Sequence, residues 1–266
     1  MRLTKHHGLG NDFLVLADPS GLRPPDPALA LAACDRHRGI GADGLLFLGR
    51  GRDDAHVSMV LINADGSRAE MSGNGIGCLV QAAVLAGLAP PPVVTVATDA
   101  GLRSVEIVHG EAARTHVATV GMGPVEVGDD EPEWVWGPIL RAVRVSVGNP
   151  HLVLQAAEAE LLEDRSWIEE LGRRANAAIP GGINVEVVAA GDGELHMDVY
   201  ERGVGLTLAC GTGACATAAA SRRWGLCGPQ VVVRMAGGPT SIDLAGPDVR
   251  MTTPIVHVGT VEYTWP

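Results

Sequence analysis

Short runs of β-branched and other apolar residues recur along this chain. They occupy Val57 to Asn63, Val93 to Thr98, Val105 to Val108 and Val117 to Val120 in the first half, and Val185 to Ala189, His196 to Glu201 and Val231 to Met235 in the second. Runs of that length and composition predict strands. Two longer segments break the pattern, from about Gly75 to Ala86 and from about Gly213 to Trp224, where alanine and apolar residues cover most sides of a helical period. Such a helix has to be buried. The pattern therefore predicts an α+β fold of two pseudo-symmetric domains, each a mainly antiparallel β-sheet wrapped around a central α-helix.

The two halves read as copies, because one shift of 138 positions places Gly10-Asn11 on Gly148-Asn149 and Leu14-Val15-Leu16 on Leu152-Val153-Leu154. The same shift places Ser72-Gly73-Asn74-Gly75 on Cys210-Gly211-Thr212-Gly213, and Gly87-Leu88, Pro91 and Val93-Val94 on Gly225-Leu226, Pro229 and Val231-Val232. Self-similarity at a fixed offset is the mark of duplicated architecture. The boundary is expected near Ala113 to His116, giving domains 1–115 and 116–252, with 253–266 returning to the first. The acidic stretch Gly128 to Gly137 reads as a loop.

Composition narrows the partners. At 266 residues, 46% hydrophobic and 19% charged, the chain is an ordinary globular protein able to bury a sizeable core. Its net charge of -11 argues against nucleic acid, which calls for a concentrated positive surface. A small-molecule or protein partner is expected instead. Five cysteines without a CxxC pair point to reduced thiols and the cytoplasm. The basic N-terminus lacks the apolar core of a secretory signal. The uncharged stretch Leu79 to Ala97 is interrupted by Gly87 and Pro90-Pro91-Pro92, so it reads as helix, turn and strand and not as a membrane span.

The chemistry sits at the starts of the two buried helices, MSGNG at 71–75 and ACGTG at 209–213. The first N–H groups of a helix have no internal partner and carry partial positive charge. Gly73-Asn74 and Gly211-Thr212 can offer those donors to a carboxylate, while Ser72 and Cys210 point into the same space. A cysteine there is expected to have its pKa lowered from about 8.5 toward neutrality, which makes it a base. Two such groups approaching one carbon from opposite faces, in a cleft between the domains, would take a proton and return it. That is a racemase or epimerase needing no metal and no organic cofactor. Gly-rich turns before helices are also common as plain caps, which is the bland alternative. Cys34, Cys78, Cys215 and Cys227 read as packing residues. His6, His7, His37, His56, His109, His116, His196 and His257 show no metal spacing and read as structural or exposed.

Several segments together resemble the signatures of diaminopimelate epimerases. They are HGLGNDF (7–13), NADGS (63–67), SGNG (72–75), GNPH (148–151), INVE (183–186), ERGVG (201–205) and ACGTGA (209–214). The resemblance covers nearly the whole chain and implies interconversion of LL- and meso-2,6-diaminopimelate, on the route to lysine and peptidoglycan precursors. It implies Cys210 and Ser72 as the catalytic pair, tuned by His151 and Glu201. Asn11, Asn63, Asn149, Asn184, Glu201 and Arg202 are the implied substrate-binding residues, beside the backbone of Gly73, Asn74, Gly211 and Thr212. Arg202 could grip a distal carboxylate bidentately. It also implies a homodimer acting on an amino acid.

Three positions depart from that pattern: Ser72 stands where the family has its first cysteine, Leu206 where it has glutamate, and Gly44 where many members have glutamine. A hydroxyl is a far weaker acid than a thiol, and a helix dipole worth about 0.3–1 kcal/mol does not close the gap. Ser72 leaves open a natural Ser/Cys pair, a different substrate, or a cysteine exchanged for serine. The alternatives are a racemase, epimerase or dehydratase for another amino acid, and a silent amino-acid-binding homologue.

Overall fold

A computed structural model describes residues 1–52, 54–112 and 114–265. The chain divides into two compact units, 1–121 with 252–266, and 122–251. Ala113, which opens the boundary expected from the repeat, lies outside the described residues.

Unit 1 runs β1 (Arg2–Gly8), β2 (Asn11–Ala17), α1 (Pro27–Cys34), β3 (Gly44–Arg50), β4 (Val57–Asn63), β5 (Arg68–Ala69), α2 (Gly73–Leu85), β6 (Val93–Thr98), β7 (Gly101–His109) and β8 (Thr115–Gly123). Most pairings are antiparallel, but β2 pairs parallel with β3, and β4 with β6. Every residue of α2 from Gly73 to Ala83 is buried. Gly77 lets the helix approach the sheet closely, because a Cβ there would lie 2.9 Å from Ile255.

Unit 2 repeats the plan with β9 (Glu126–Asp130), β10 (Ile139–Ser146), β11 (Pro150–Ala156), α3 (Arg165–Ala178), β12 (Asn184–Gly191), β13 (Glu194–Glu201), β14 (Gly205–Leu206), α4 (Gly211–Arg223), β15 (Gln230–Met235), β16 (Gly238–Asp243) and β17 (Val249–Glu262). The chain returns to unit 1 within β17, which pairs antiparallel with β1. Again two pairings are parallel, β11 with β12 and β13 with β15. Residues Gly211 to Ser221 of α4 are all buried. The acidic stretch expected to be a loop instead opens with β9, which pairs with β10, and then forms a 3-10 turn at Pro132–Trp134. Its backbone is claimed by a sheet edge even though its side chains are polar.

The buried helices also stop in the same way. Gly87 N–H donates to Val84 O and Leu88 N–H to Ala83 O, as Gly225 does to Arg222 O and Leu226 to Ser221 O. This closure needs a left-handed residue, supplied by Gly87 (φ 70°) and Gly225 (φ 75°). The same shift sets the start of α1 on the start of α3 and the cap Asp26 on the cap Asp164; α3 buries Ile168, Leu171, Gly172 and Ala175, one stripe of an amphipathic helix. Among the described residues no helix is long and apolar enough to cross a membrane.

Candidate active site

Ser72 and Cys210 are the N-caps of α2 and α4, both with extended backbone. Ser72 Oγ accepts from Gly75 N–H at 3.0 Å, and Cys210 Sγ accepts from Gly213 N–H at 3.4 Å. In each unit an asparagine at or just before the start of a strand meets the side chain of the second helix residue. In unit 1, Asn74 Nδ2 reaches Asn11 Oδ1 at 3.4 Å; in unit 2, Asn149 Nδ2 donates to Thr212 Oγ1 at 3.3 Å. Asn11 and Asn149, and likewise Asn74 and Thr212, are equivalent under the sequence shift.

Behind these shared parts the two sites diverge. Asn11 Nδ2 donates to Asp43 at 2.7 Å, and Asp43 in turn takes Arg36, which also pairs with Asp12. Burial alone would push the Asp12 carboxyl up, yet the hydrogen bonds from Arg36 and Lys5 hold it below its ordinary value. In unit 2, His151 is wholly buried, with Nδ1 2.7 Å from Glu186 Oε1 and Nε2 2.9 Å from Asn149 Oδ1. The tight start of α4 explains Gly213: a Cβ there would sit 2.6 Å from Glu186 Oε1 and 3.2 Å from Cys210 Sγ.

The Cys210 thiol corrects one expectation. Its pKa is raised well above the ordinary value, first by burial, then by the negative charges of Glu201 and Glu186; Thr212 and the Gly213 N–H pull the other way without winning. The helix terminus is present, but desolvation outweighs it. Of the other cysteines, Cys34 and Cys215 are buried and each pushed up to about 12, Cys78 is fully buried, and Cys227 is only half-buried.

The remaining residues group around unit 2. Asn184 Oδ1 accepts from Arg202 N–H at 2.9 Å, and Asn184 Nδ2 donates to Pro150 O at 3.3 Å. Glu201 Oε1 accepts from Thr207 at 2.6 Å. A cavity of about 600 Å³ within this unit is lined by Asn149, His151 and Arg202 among others. In unit 1, Asn63 bonds Ser67 Oγ at 3.0 Å inside its own turn. Of the departing positions, Leu206 packs against the unit 2 core. A Cβ on Gly44 would lie 2.9 Å from Leu61 and 3.0 Å from Ile62 O, so the fold has closed around the glycine.

Sequence reading gave no role to Glu186 or to the Asp12–Arg36–Asp43 network. Glu186 left two signals, its place at the end of the INVE segment and a lone carboxylate within the apolar run Val185 to Ala189.

Two units, each a sheet around a buried helix, make a fold of the kind found in solved epimerases and isomerases. It is shared with a PhzF-family phenazine biosynthesis protein from Bacillus anthracis (TM-score 0.76, 14% identity, covering 100% of this chain and 99% of that one). It is shared too with a predicted epimerase from Pseudomonas aeruginosa (TM-score 0.74, 17% identity, 100% and 99% coverage). The chain belongs to the diaminopimelate epimerase family, whose profile matches residues 3–127 and 143–263. It is 37% identical to the diaminopimelate epimerase of Heliobacterium modesticaldum, over 97% of this chain and 98% of that protein. To that of Rhodococcus erythropolis it is 36% identical, over 100% and 97%. Membership makes it an isomerase of the epimerase class.

Proposed function

We propose that this chain interconverts LL- and meso-2,6-diaminopimelate by two-base proton transfer, with Cys210 on one face of the α-carbon and Ser72 on the other. The observation that carries this reading is the duplicated helix cap, in which Ser72 and Cys210 each accept the N–H three residues on. Free N–H groups at each helix start suit the α-carboxylate, where charge develops as the α-proton leaves. Arg202 suits the distal carboxylate, and Asn11, Asn63, Asn149 and Asn184 suit the amino and carboxylate groups.

The substrate itself supplies what the protein withholds from Cys210. Its α-ammonium is a positive charge next to the carbon attacked, and an opposite charge nearby favours the thiolate. The thiolate takes the α-proton, the electron pair is delocalised into the bound carboxylate, and the Ser72 hydroxyl returns a proton to the opposite face. The resulting alkoxide takes a proton from water, and the hydroxide so formed takes the proton now on Cys210, which restores both groups. Because a hydroxyl is a poor acid, turnover is slow relative to a Cys/Cys pair. With this reading go a homodimer, a cytoplasmic location and a place in lysine and peptidoglycan precursor synthesis.

Incubation of the protein with LL- or meso-diaminopimelate in deuterated water tests it: one α-carbon gains deuterium. Absence of exchange at either centre rejects this substrate. The core-packed Leu206 and the closed space at Gly44 favour a second reading, an epimerase or racemase for a different amino acid. A substrate panel with chiral product analysis separates the two.

A further inference from the structure

Glu186 lies in the middle of β12, wholly buried, with every residue from Ile183 to Ala189 buried around it. One carboxylate oxygen meets His151; the other, Oε2, is buried with no hydrogen-bond partner. Burying a carboxyl group on such terms opposes folding. The fold does not demand it. His151 stands opposite Asn184 in the β11–β12 register, as Phe13 stands opposite Gly44 in β2–β3, so the place of Glu186 is taken in unit 1 by Leu46. The same architecture is thus built once with Phe13 and Leu46 and once with His151 and Glu186.

What the charged pair adds lies on the way to Cys210. Asn149 Nδ2 donates to Thr212 Oγ1 at 3.3 Å, and Asn149 Oδ1 lies 2.9 Å from His151 Nε2. His151 Nδ1 lies 2.7 Å from Glu186 Oε1. From Thr212 Oγ1 the step to Cys210 Sγ is 3.5 Å. Glu186 also approaches the cap directly, since its carboxylate and the thiol flank the same face of Gly213.

We propose that Glu186 is a positioning residue for proton transfer at Cys210: it fixes the His151 ring that pins Asn149 and Thr212, and it sets negative charge behind the thiol. This rests on the epimerase reading above. The titratable groups that bear on Cys210 are Glu201 on β13 and Glu186 on β12, with His151 on β11 joined to Glu186; α4 itself contributes the Thr212 hydroxyl and the Gly213 N–H. Removing the Glu186 charge therefore favours the thiolate while loosening the geometry that uses it. The two effects run in opposite directions, which mere loss of packing would not produce.

The test is the whole chain carrying Glu186→Gln, compared with wild type in two measurements. One is the pH dependence of iodoacetamide labelling at the Cys210 peptide; the other is the kinetics of α-deuterium exchange into diaminopimelate. The labelling midpoint is expected to move to lower pH by about one unit. In the same variant kcat is expected to fall by about ten- to a hundredfold, with KM nearly unchanged. Should Glu186→Gln fail to fold, the double variant His151→Phe with Glu186→Leu, which copies the lining of unit 1, takes its place with the same expected directions. A folded variant in which either the labelling midpoint or kcat stays at the wild-type value overturns the proposal. A wild-type chain that exchanges no proton rejects the epimerase reading alone, and the labelling comparison still decides whether Glu186 governs Cys210.

Discussion

Ser72 and Cys210 cap helices that span equivalent positions, start on the same extended backbone and end on the same glycine closure. Their surroundings differ in kind. A Cβ placed on Gly75 would meet Ser72 and then the Phe13 ring at 3.5 Å, whereas one on Gly213 would meet Glu186 at 2.6 Å before Cys210. Unit 1 has an aromatic wall behind its hydroxyl; unit 2 has a buried acid and an imidazole behind its thiol. Duplication preserved what the backbone requires, the cap and the glycines. It did not preserve the groups that handle protons, so the copies are alike as folds and unlike as chemistry.

Substituting each cap in turn probes that contrast most strongly. Cys210→Ala is expected to lower α-proton exchange by about 10²- to 10⁴-fold, the usual contribution of a positioned acid–base group. Ser72→Cys, measured in the same assay, is expected to raise exchange by about tenfold or more, because it supplies the acid that unit 1 lacks. Full activity in Cys210→Ala would break the comparison outright.

The units are also expected to part in acid. His6 in unit 1 is wholly buried, held between Gln81 at 2.7 Å and Thr4 at 2.9 Å, and its ring centroid lies 4.9 Å from that of His257, the planes tilted by 36°. Burial, with His257 and His116 nearby, lowers its pKa from 6.5 to about 4, against the raising effect of the Gln81 bond. The unfolded chain then takes up this proton first as pH falls. The stability that neutral His6 contributes is complete above about 6.5 and is lost progressively toward about 4, at most about 3 kcal/mol. Urea unfolding at pH 7 and pH 5 should show the loss, and His6→Gln should flatten the difference. Equal slopes for the two proteins would remove His6 as its source.

Gly213→Ala and Gly75→Ala form a matched pair of smaller effect. The methyl group at 213 runs into a buried carboxylate that cannot move aside, and a loss of about 1–3 kcal/mol is expected despite alanine's better helix propensity. At 75 the nearest atoms are Ser72 Cβ and Oγ at 3.0 Å, a side chain that is only half-buried, so the loss is expected to be smaller. Thermal unfolding of the two variants side by side measures the difference.

Much of this frame was legible along the chain. The strand over Val57–Asn63 and that over Val93–Thr98 fall where the apolar runs end, and both buried helices begin two residues before their predicted starts because the capping glycines belong to them. What local pattern could not supply was partnership. Parallel pairing of β2 with β3 and of β11 with β12 depends on sheet register, which has no signature within a single strand. The same register brings His151 beside Glu186 across 35 positions of sequence. The thiol of Cys210 was misjudged for a related reason: a helix start is visible in sequence, while the burial that overrides it is made by distant chain.

The mildest prediction reverses the ranking of the two caps. An oxygen at 3.0 Å from the Gly75 N–H is a sound capping acceptor, whereas a thiol sulfur at 3.4 Å from the Gly213 N–H is a weak one. Ser72→Ala is therefore expected to cost about 1 kcal/mol of stability by leaving a helix N–H unmet. Cys210→Ala loses less capping energy, and its cost comes from the small void left at a buried site. Chemical denaturation should thus show the larger cap-dependent loss in unit 1, the opposite of the order expected for catalysis. Were Cys210→Ala the more destabilising of the two through its hydrogen bond, the sulfur would be a structural cap first, and the division between a cap that holds and a cap that reacts would fail.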